Sequence, residues 1–227
     1  MLERWRAAQG VVLRPVARVL LRLGVRPDTV TWFGAVSVLI VALLCFGMGW
    51  LWQGAVIIAV LSTSDMIDGH MARESGTESP WGGFLDSTLD RFADAGVLGG
   101  IALHLGLRVG AEWAVVAVAA LVAAQLTSYV KARAEAIGCR ADVGLVTRPD
   151  RIALALLGAL LAGVGVPYAL QAAVAVLVVG GGITVVQRIV TVRRQVQSAG
   201  NSDPVRLSPA MPGPKGRPGS RRKRARS

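Results

Sequence analysis

Six apolar stretches, at roughly 29–49, 53–72, 82–104, 112–132, 152–167 and 169–190, fill most of a 227-residue chain, with only short polar or Gly/Pro-bearing breaks between them. A helix that crosses a bilayer consumes about 20 residues, so a chain of this length holds six spans and little else. Without water to satisfy exposed peptide groups, each such stretch must close its own backbone hydrogen bonds. The pattern therefore predicts an all-α integral membrane fold with six transmembrane helices. Composition agrees: 53% hydrophobic and 17% charged residues, with mean hydropathy +0.52, exclude a disordered chain and a water-soluble domain. The fifth stretch is short, so its ends must lie near the headgroups or the bilayer must thin around it. Cys45 and Cys139 are too few for a disulfide framework and lack metal-ligand spacing.

The flanks differ from this middle. Residues 1–26 interleave Arg4, Arg6, Arg14, Arg18, Arg22 and Arg26 with Trp5, Val11, Leu13, Val16, Leu20 and Leu23, which predicts an amphipathic interfacial helix. A cleavable signal peptide fits less well, because arginines interrupt every apolar run. The domain proper is expected over 27–197. The remainder, 198–227, is expected to be a disordered cytoplasmic tail: its last 27 residues carry eight Lys/Arg against one Asp, which is +7 of the chain's net +11. A basic segment following a last span favours anionic lipid over nucleic acid as its partner. With a cytoplasmic N-terminus, the outer loops near 49–53, 105–111 and 164–168 contain Arg108 as their only basic residue. That asymmetry predicts a multi-pass protein of the cell membrane with both termini, and the acidic residues described next, on the cytoplasmic side.

Asp65, Asp68, Asp86, Asp90 and Asp94 sit within or beside the second and third apolar stretches. An ionised carboxylate there costs roughly 2.5–3.5 kcal/mol on insertion scales, so five need compensation. At about 100° per residue, Gly82, Asp86 and Asp90 form one helical stripe, and Asp65 and Asp68 lie about 60° apart. Protons, basic side chains or a divalent metal could fill such a cluster. Arg73 and Arg91 are the only cations nearby in sequence, too few for four or five acids, so metal is favoured. All-oxygen ligands select a hard cation such as Mg²⁺ or Mn²⁺. A transporter's proton or ion pathway is the non-enzymatic alternative, although such pathways spread acids through the membrane depth, whereas these cluster at one side. Gly69, Ala72, Gly82 and Gly83 keep the facing surfaces small, for close helix packing or to admit a bulky ligand.

The spacing Asp65-x2-Asp68-Gly69-x2-Ala72-Arg73-x8-Gly82-x3-Asp86-x3-Asp90 resembles the full signature of the CDP-alcohol phosphotransferases, with every signature position matched. The resemblance implies a membrane enzyme, homodimeric in this family, that displaces CMP from a CDP-linked lipid with an alcohol, using two divalent cations. It further implies that Asp65, Asp68, Asp86 and Asp90 ligate metal and that Asp90 is also the general base, with Asp94 outside the signature. CDP-diacylglycerol would be bordered by Gly69, Arg73 and Ser79 and by Asp28-Thr29-Val30-Thr31. The segment Pro27-Asp28-Thr29 also reads as a helix start, with Asp28 or Thr29 as N-cap. Downstream, Ser128-Tyr129-Val130-Lys131-Ala132-Arg133-Ala134-Glu135, Arg148-Pro149-Asp150-Arg151 and Arg188 look like the actinobacterial phosphatidylinositol phosphate synthases. That likeness implies inositol 1-phosphate as the acceptor, its phosphate gripped by Ser128, Lys131, Arg133, Arg151 and Arg188. Lys131, Arg133, Arg148 and Arg151 also read as ordinary positive-inside loop charges. Arg188 interrupts an apolar span and needs a polar partner or cavity on either reading. Glycerol 3-phosphate, the acceptor of phosphatidylglycerophosphate synthases, suits a basic pocket equally well.

Overall fold

The computed structural model describes residues 15–77 and 79–202, apart from the side chains of 64–66 and 199–202. Every element among the described residues is a helix. Helix α1 covers 15–22, followed by α2 (Pro27–Met48), α3 (Leu51–Leu61), α4 (Ser64–Ser75), α5 (Pro80–Arg108), α6 (Ala111–Ala136), α7 (Arg148–Gly163) and α8 (Ala169–Ser202). Three of them, Pro27–Met48, Ala111–Ala136 and Ala169–Ser198, are long and apolar enough to cross a membrane.

The other three expected spans depart from that standard for visible reasons. The stretch 53–72 is not one helix: it divides into α3 and α4 at Ser62-Thr63. There Ser62 Oγ donates to the Ile58 carbonyl (2.9 Å) and Thr63 Oγ1 to that of Val60 (2.7 Å), side-chain bonds that compete with the helical ladder. Helix α5, 29 residues and about 43 Å long, carries Asp86, Asp90, Arg91 and Asp94. Helix α7 has 16 residues, as short as the sequence implied.

Punctuation is local. Arg26, rather than Asp28 or Thr29, is the N-cap of α2; Pro27 occupies the first helical position, where its missing N–H costs nothing, and Asp28 sits in the first turn. Gly49 ends α2 at φ 87°, which a residue with a Cβ adopts only with strain. Ser79 caps α5, its Oγ accepting from Gly82 N–H (3.1 Å), and Asp150 accepts from Thr147 N–H (2.9 Å) at the start of α7. Helix α8 continues through Ser202, so the boundary expected at 197 falls inside it. The first half of the expected interfacial helix and the tail from 203 onward lie outside the described residues.

The core is one apolar cluster built from α2, α3, α5, α6, α7 and α8, including Phe46, Ile58, Val97, Ile101, Leu105, Leu170 and Val174. Helix α2 packs most extensively on α5. A Cβ built at Gly96 would lie 2.7 Å from Leu39 Cα, and one at Gly100 would lie 2.6 Å from the Ala42 carbonyl oxygen, so these two glycines set that approach. The glycines singled out from sequence behave differently: Gly83 has open space around its Cβ position, and Gly69 and Gly82 face only Arg73 and Ser79. His104 Nδ1 pairs with the Phe46 carbonyl (3.0 Å) and Arg108 with that of Met48 (3.4 Å), which places the C-terminal ends of α2 and α5 together. Their N-terminal ends therefore share the opposite side of the molecule with α4.

Candidate active site

Helix α2 begins beside α4, and one bond ties them: Thr31 Oγ1 donates to Asp68 Oδ2 at 2.6 Å, both groups being buried. The Pro27 carbonyl lies farther from the same hydroxyl, at 3.2 Å, so its single proton goes to the carboxylate. Around this bond opens a cavity of about 620 Å³ lined by Arg26, Pro27, Asp28, Thr31, Asp68, Gly69, Ala72, Arg73, Thr77, Ser79, Gly82, Gly83 and Asp86. Six of the eight signature residues, Asp68 and Asp86 among them, are thus gathered at one place by α4 and the first turns of α5. Gly69, Gly82 and Gly83 make no close approach to a neighbouring helix backbone, and their lack of side chains leaves the cavity open.

The expected nucleotide-side residues divide by helical phase. Asp28 and Thr31, three residues apart on α2, line the cavity with Gly69, Arg73 and Ser79; Thr29 and Val30, rotated by 100° and 200° from Asp28, do not. Arg26 and Thr77 line it as well and were not singled out from sequence. Arg26 directly precedes the Pro27 helix start, the one local signal that could have found it.

The acids do not share one environment. Asp68 and Asp86 line the cavity. The backbone of Asp65 belongs to α4, one turn before Asp68, but its side chain lies outside the described residues. Among the described side chains, no three His, Cys, Asp or Glu groups are placed to hold one ion. Asp90, one turn beyond Asp86, meets Arg148 Nη2 at 2.6 Å and Arg91 Nη2 at 3.6 Å. Asp94, 1% exposed, meets Arg151 Nη2 at 3.0 Å and Arg148 Nε at 3.6 Å. The count of two neighbouring cations made along the sequence is therefore corrected. Arg148 and Arg151, at i and i+3 in the first turn of α7, lie against Asp90 and Asp94, at i and i+4 on α5, and give both carboxylates cationic partners. Carboxylate oxygens remain the donor type at the cavity itself, which suits a hard cation.

Beyond this ladder, Arg151 Nη1 donates to Thr127 Oγ1 at 2.8 Å. Arg188 donates through Nη1 to the Thr127 carbonyl and through Nε to the Val143 carbonyl (2.9 Å), so the polar partners its position requires are backbone oxygens. Ser128 and Lys131 flank Thr127 on α6. Lys131 Nζ lies 2.8 Å from Asp142 Oδ1, a pairing that holds the Asp142 carboxyl below the usual carboxylate range. Ser128 Oγ turns back to the Ala124 carbonyl (3.3 Å). Arg133 is not brought to this group: it lines a separate, largely apolar groove with Tyr129, Ile137, Ile189, Val192 and Arg193.

Residues 25–186 match the CDP-alcohol phosphatidyltransferase family. A phosphatidylinositol phosphate synthase of Cutibacterium acnes is 45% identical over 207 residues, covering 87% of this chain and all of that protein. The crystal structure of the Mycobacterium tuberculosis phosphatidylinositol phosphate synthase with CDP-DAG bound superposes with a TM-score of 0.77 at 38% identity, covering 80% of this chain and 93% of that one. A second structure of that enzyme, in complex with manganese and citrate, gives the same TM-score and identity, covering 80% and 88%. The matched region runs from the start of α2 into α8 and contains both the acidic cavity and the ion-pair ladder; the chain belongs to the CDP-alcohol phosphatidyltransferase family.

Proposed function

We propose that this enzyme transfers the phosphatidyl group of CDP-diacylglycerol to inositol 1-phosphate (1D-myo-inositol 3-phosphate), releasing CMP. The observation that carries the reading is the convergence of Asp68, Gly69, Ala72, Arg73, Gly82 and Asp86 on one 620 Å³ cavity at the N-terminal ends of α2 and α5. The synthase from C. acnes and the CDP-DAG complex from M. tuberculosis supply the matching chemistry. Asp28, Thr31, Gly69, Arg73 and Ser79 border the nucleotide, with Thr29 and Val30 between the first two on the same turn of α2. The acceptor hydroxyl attacks the β-phosphorus, the bond to CMP breaks, and Asp90 takes the hydroxyl proton. Arg148, at 2.6 Å, orients that carboxylate.

Asp65, Asp68, Asp86 and Asp90 would hold two divalent cations, Mg²⁺ or Mn²⁺. When bound they neutralise the pyrophosphate oxygens that repel an incoming nucleophile. Thr31 aims Asp68, and burial of that pair keeps its geometry fixed. The acceptor's phosphate is gripped by Ser128, Lys131, Arg151 and Arg188.

The fold is read as six spans. Large apolar side chains face outward on α3 (Val56, Ile57, Val60), α5 (Phe92, Leu103) and α7 (Leu157, Leu161) as well as on the three longest apolar helices, which suits lipid contact. Residues 1–26 lie at the interface, 27–197 form the catalytic domain and 198–227 a basic tail on anionic lipid. The site and both termini face the cytoplasm of a multi-pass, homodimeric protein in the cell membrane.

Purified protein supplied with CDP-diacylglycerol, Mg²⁺ and inositol 1-phosphate is expected to release CMP, and Asp90→Asn to abolish release while the protein stays folded. Turnover with glycerol 3-phosphate but not inositol 1-phosphate would refute the acceptor assignment.

A further inference from the structure

We infer that Thr127 is a positioning residue for the acceptor: its hydroxyl and its carbonyl fix the guanidinium groups of Arg151 and Arg188, with Asp94 completing the set. The inference rests on reading those two arginines as the grip on the acceptor's phosphate. Thr127 sits on α6, fully buried, between α7 and α8. Its hydroxyl donates its one proton to the Ala124 carbonyl (2.8 Å), which leaves oxygen lone pairs to accept from Arg151 Nη1 (2.8 Å). Its carbonyl accepts from Arg188 Nη1. Each guanidinium is then held at a second point, Arg151 by Asp94 on α5 and Arg188 by the Val143 carbonyl. Two long side chains from different helices are thus referenced to one residue.

Stability alone does not account for this arrangement. Buried guanidinium groups are costly to desolvate, and apolar replacements of similar volume commonly stabilise a core. The charges also fail to balance. Arg91, Arg148 and Arg151 share Asp90 and Asp94, Arg148 reaching both, and the carboxylates that face Arg188, Asp142 and Glu135, are exposed. Arg151 Nε is buried without a hydrogen-bond partner among the described residues. A positive surplus with an open donor calls for an anion. A dianionic phosphate monoester fits it, and pre-set donors spare the ordering of two flexible side chains on binding.

The test is steady-state CMP release by the full-length protein, titrating inositol 1-phosphate at saturating CDP-diacylglycerol, then the reverse. Thr127→Val keeps the volume and the carbonyl but removes the acceptor for Arg151. It is expected to raise the KM for inositol 1-phosphate at least tenfold, with kcat and the KM for CDP-diacylglycerol within twofold, and Thr127→Ser to return the acceptor KM to within threefold of wild type. An acceptor KM within twofold in Thr127→Val, an equal loss for both substrates, or a failure of that variant to fold would each overturn the inference in favour of a packing role. If wild type turns over glycerol 3-phosphate and not inositol 1-phosphate, the acceptor reading fails by itself. The same titration with glycerol 3-phosphate then decides the role of Thr127.

Discussion

The acidic cavity and the arginine cluster lie side by side on α5 and are built in opposite ways. In the cavity, Asp68 and Asp86 come from neighbouring helices joined by a four-residue break and face an open volume with glycines around it. In the cluster, Asp90 and Asp94 meet arginines about 57 positions away, and each has a cationic partner from the protein itself. One turn of helix separates the two regimes: Asp86 lines the cavity, whereas Asp90 pairs with Arg148 and Arg91. A contiguous motif is sufficient where the chemistry awaits a ligand. A buried ion-pair cluster requires partners that only long-range packing can deliver.

The largest expected effect tests the cavity. Asp68→Asn or Asp86→Asn should lower CMP release on the order of 10³-fold, since several kcal/mol of transition-state stabilisation are lost at about 1.4 kcal/mol per decade. A chelator should do the same to wild type. Activity that survives both would erase the distinction between the cavity and the neutralised ladder. Next, Arg151→Met takes away the nearer cation of the buried Asp94 carboxylate and leaves it Arg148 at 3.6 Å, which should cost up to about 3–5 kcal/mol of stability in denaturant unfolding, the range for breaking a buried pair. A neutral result would mean that the cluster is solvated rather than closed. Thr31→Val should reduce activity by roughly 10–100-fold and raise the metal concentration needed for turnover, the range for removing a group that orients a ligand. Last, Arg18→Ala, which removes an exposed contact from α1 to Glu74 (2.7 Å), should cost at most about 1 kcal/mol in thermal unfolding.

Particular residues show where sequence reading succeeds and where it stops. The i, i+4, i+8 stripe of Gly82, Asp86 and Asp90 is local helical geometry, and Asp68, Arg73 and Ser79 fall where the motif implies. Thr29 and Val30 do not line the cavity, because a helix shows only every third or fourth residue to one side. Arg133 fails for the same reason: it lies five residues from Ser128 and turns to another groove. The break at Ser62-Thr63 depends on hydroxyl-to-carbonyl bonds that hydropathy does not register. Asp94 and Thr127 carried no signal that named their partners.

The sequence by itself determined that this chain is helical and apolar throughout its middle, and that it carries metal-type acids at fixed spacing, because hydrophobic burial and helical phase are properties of neighbours along the chain. The tertiary structure alone decided which cations neutralise Asp90 and Asp94, which glycines bring α2 onto α5, and that Thr127 joins Arg151 to Arg188. Those pairings depend on the relative placement of helices dozens of residues apart, and that placement is fixed by the summed packing of all of them.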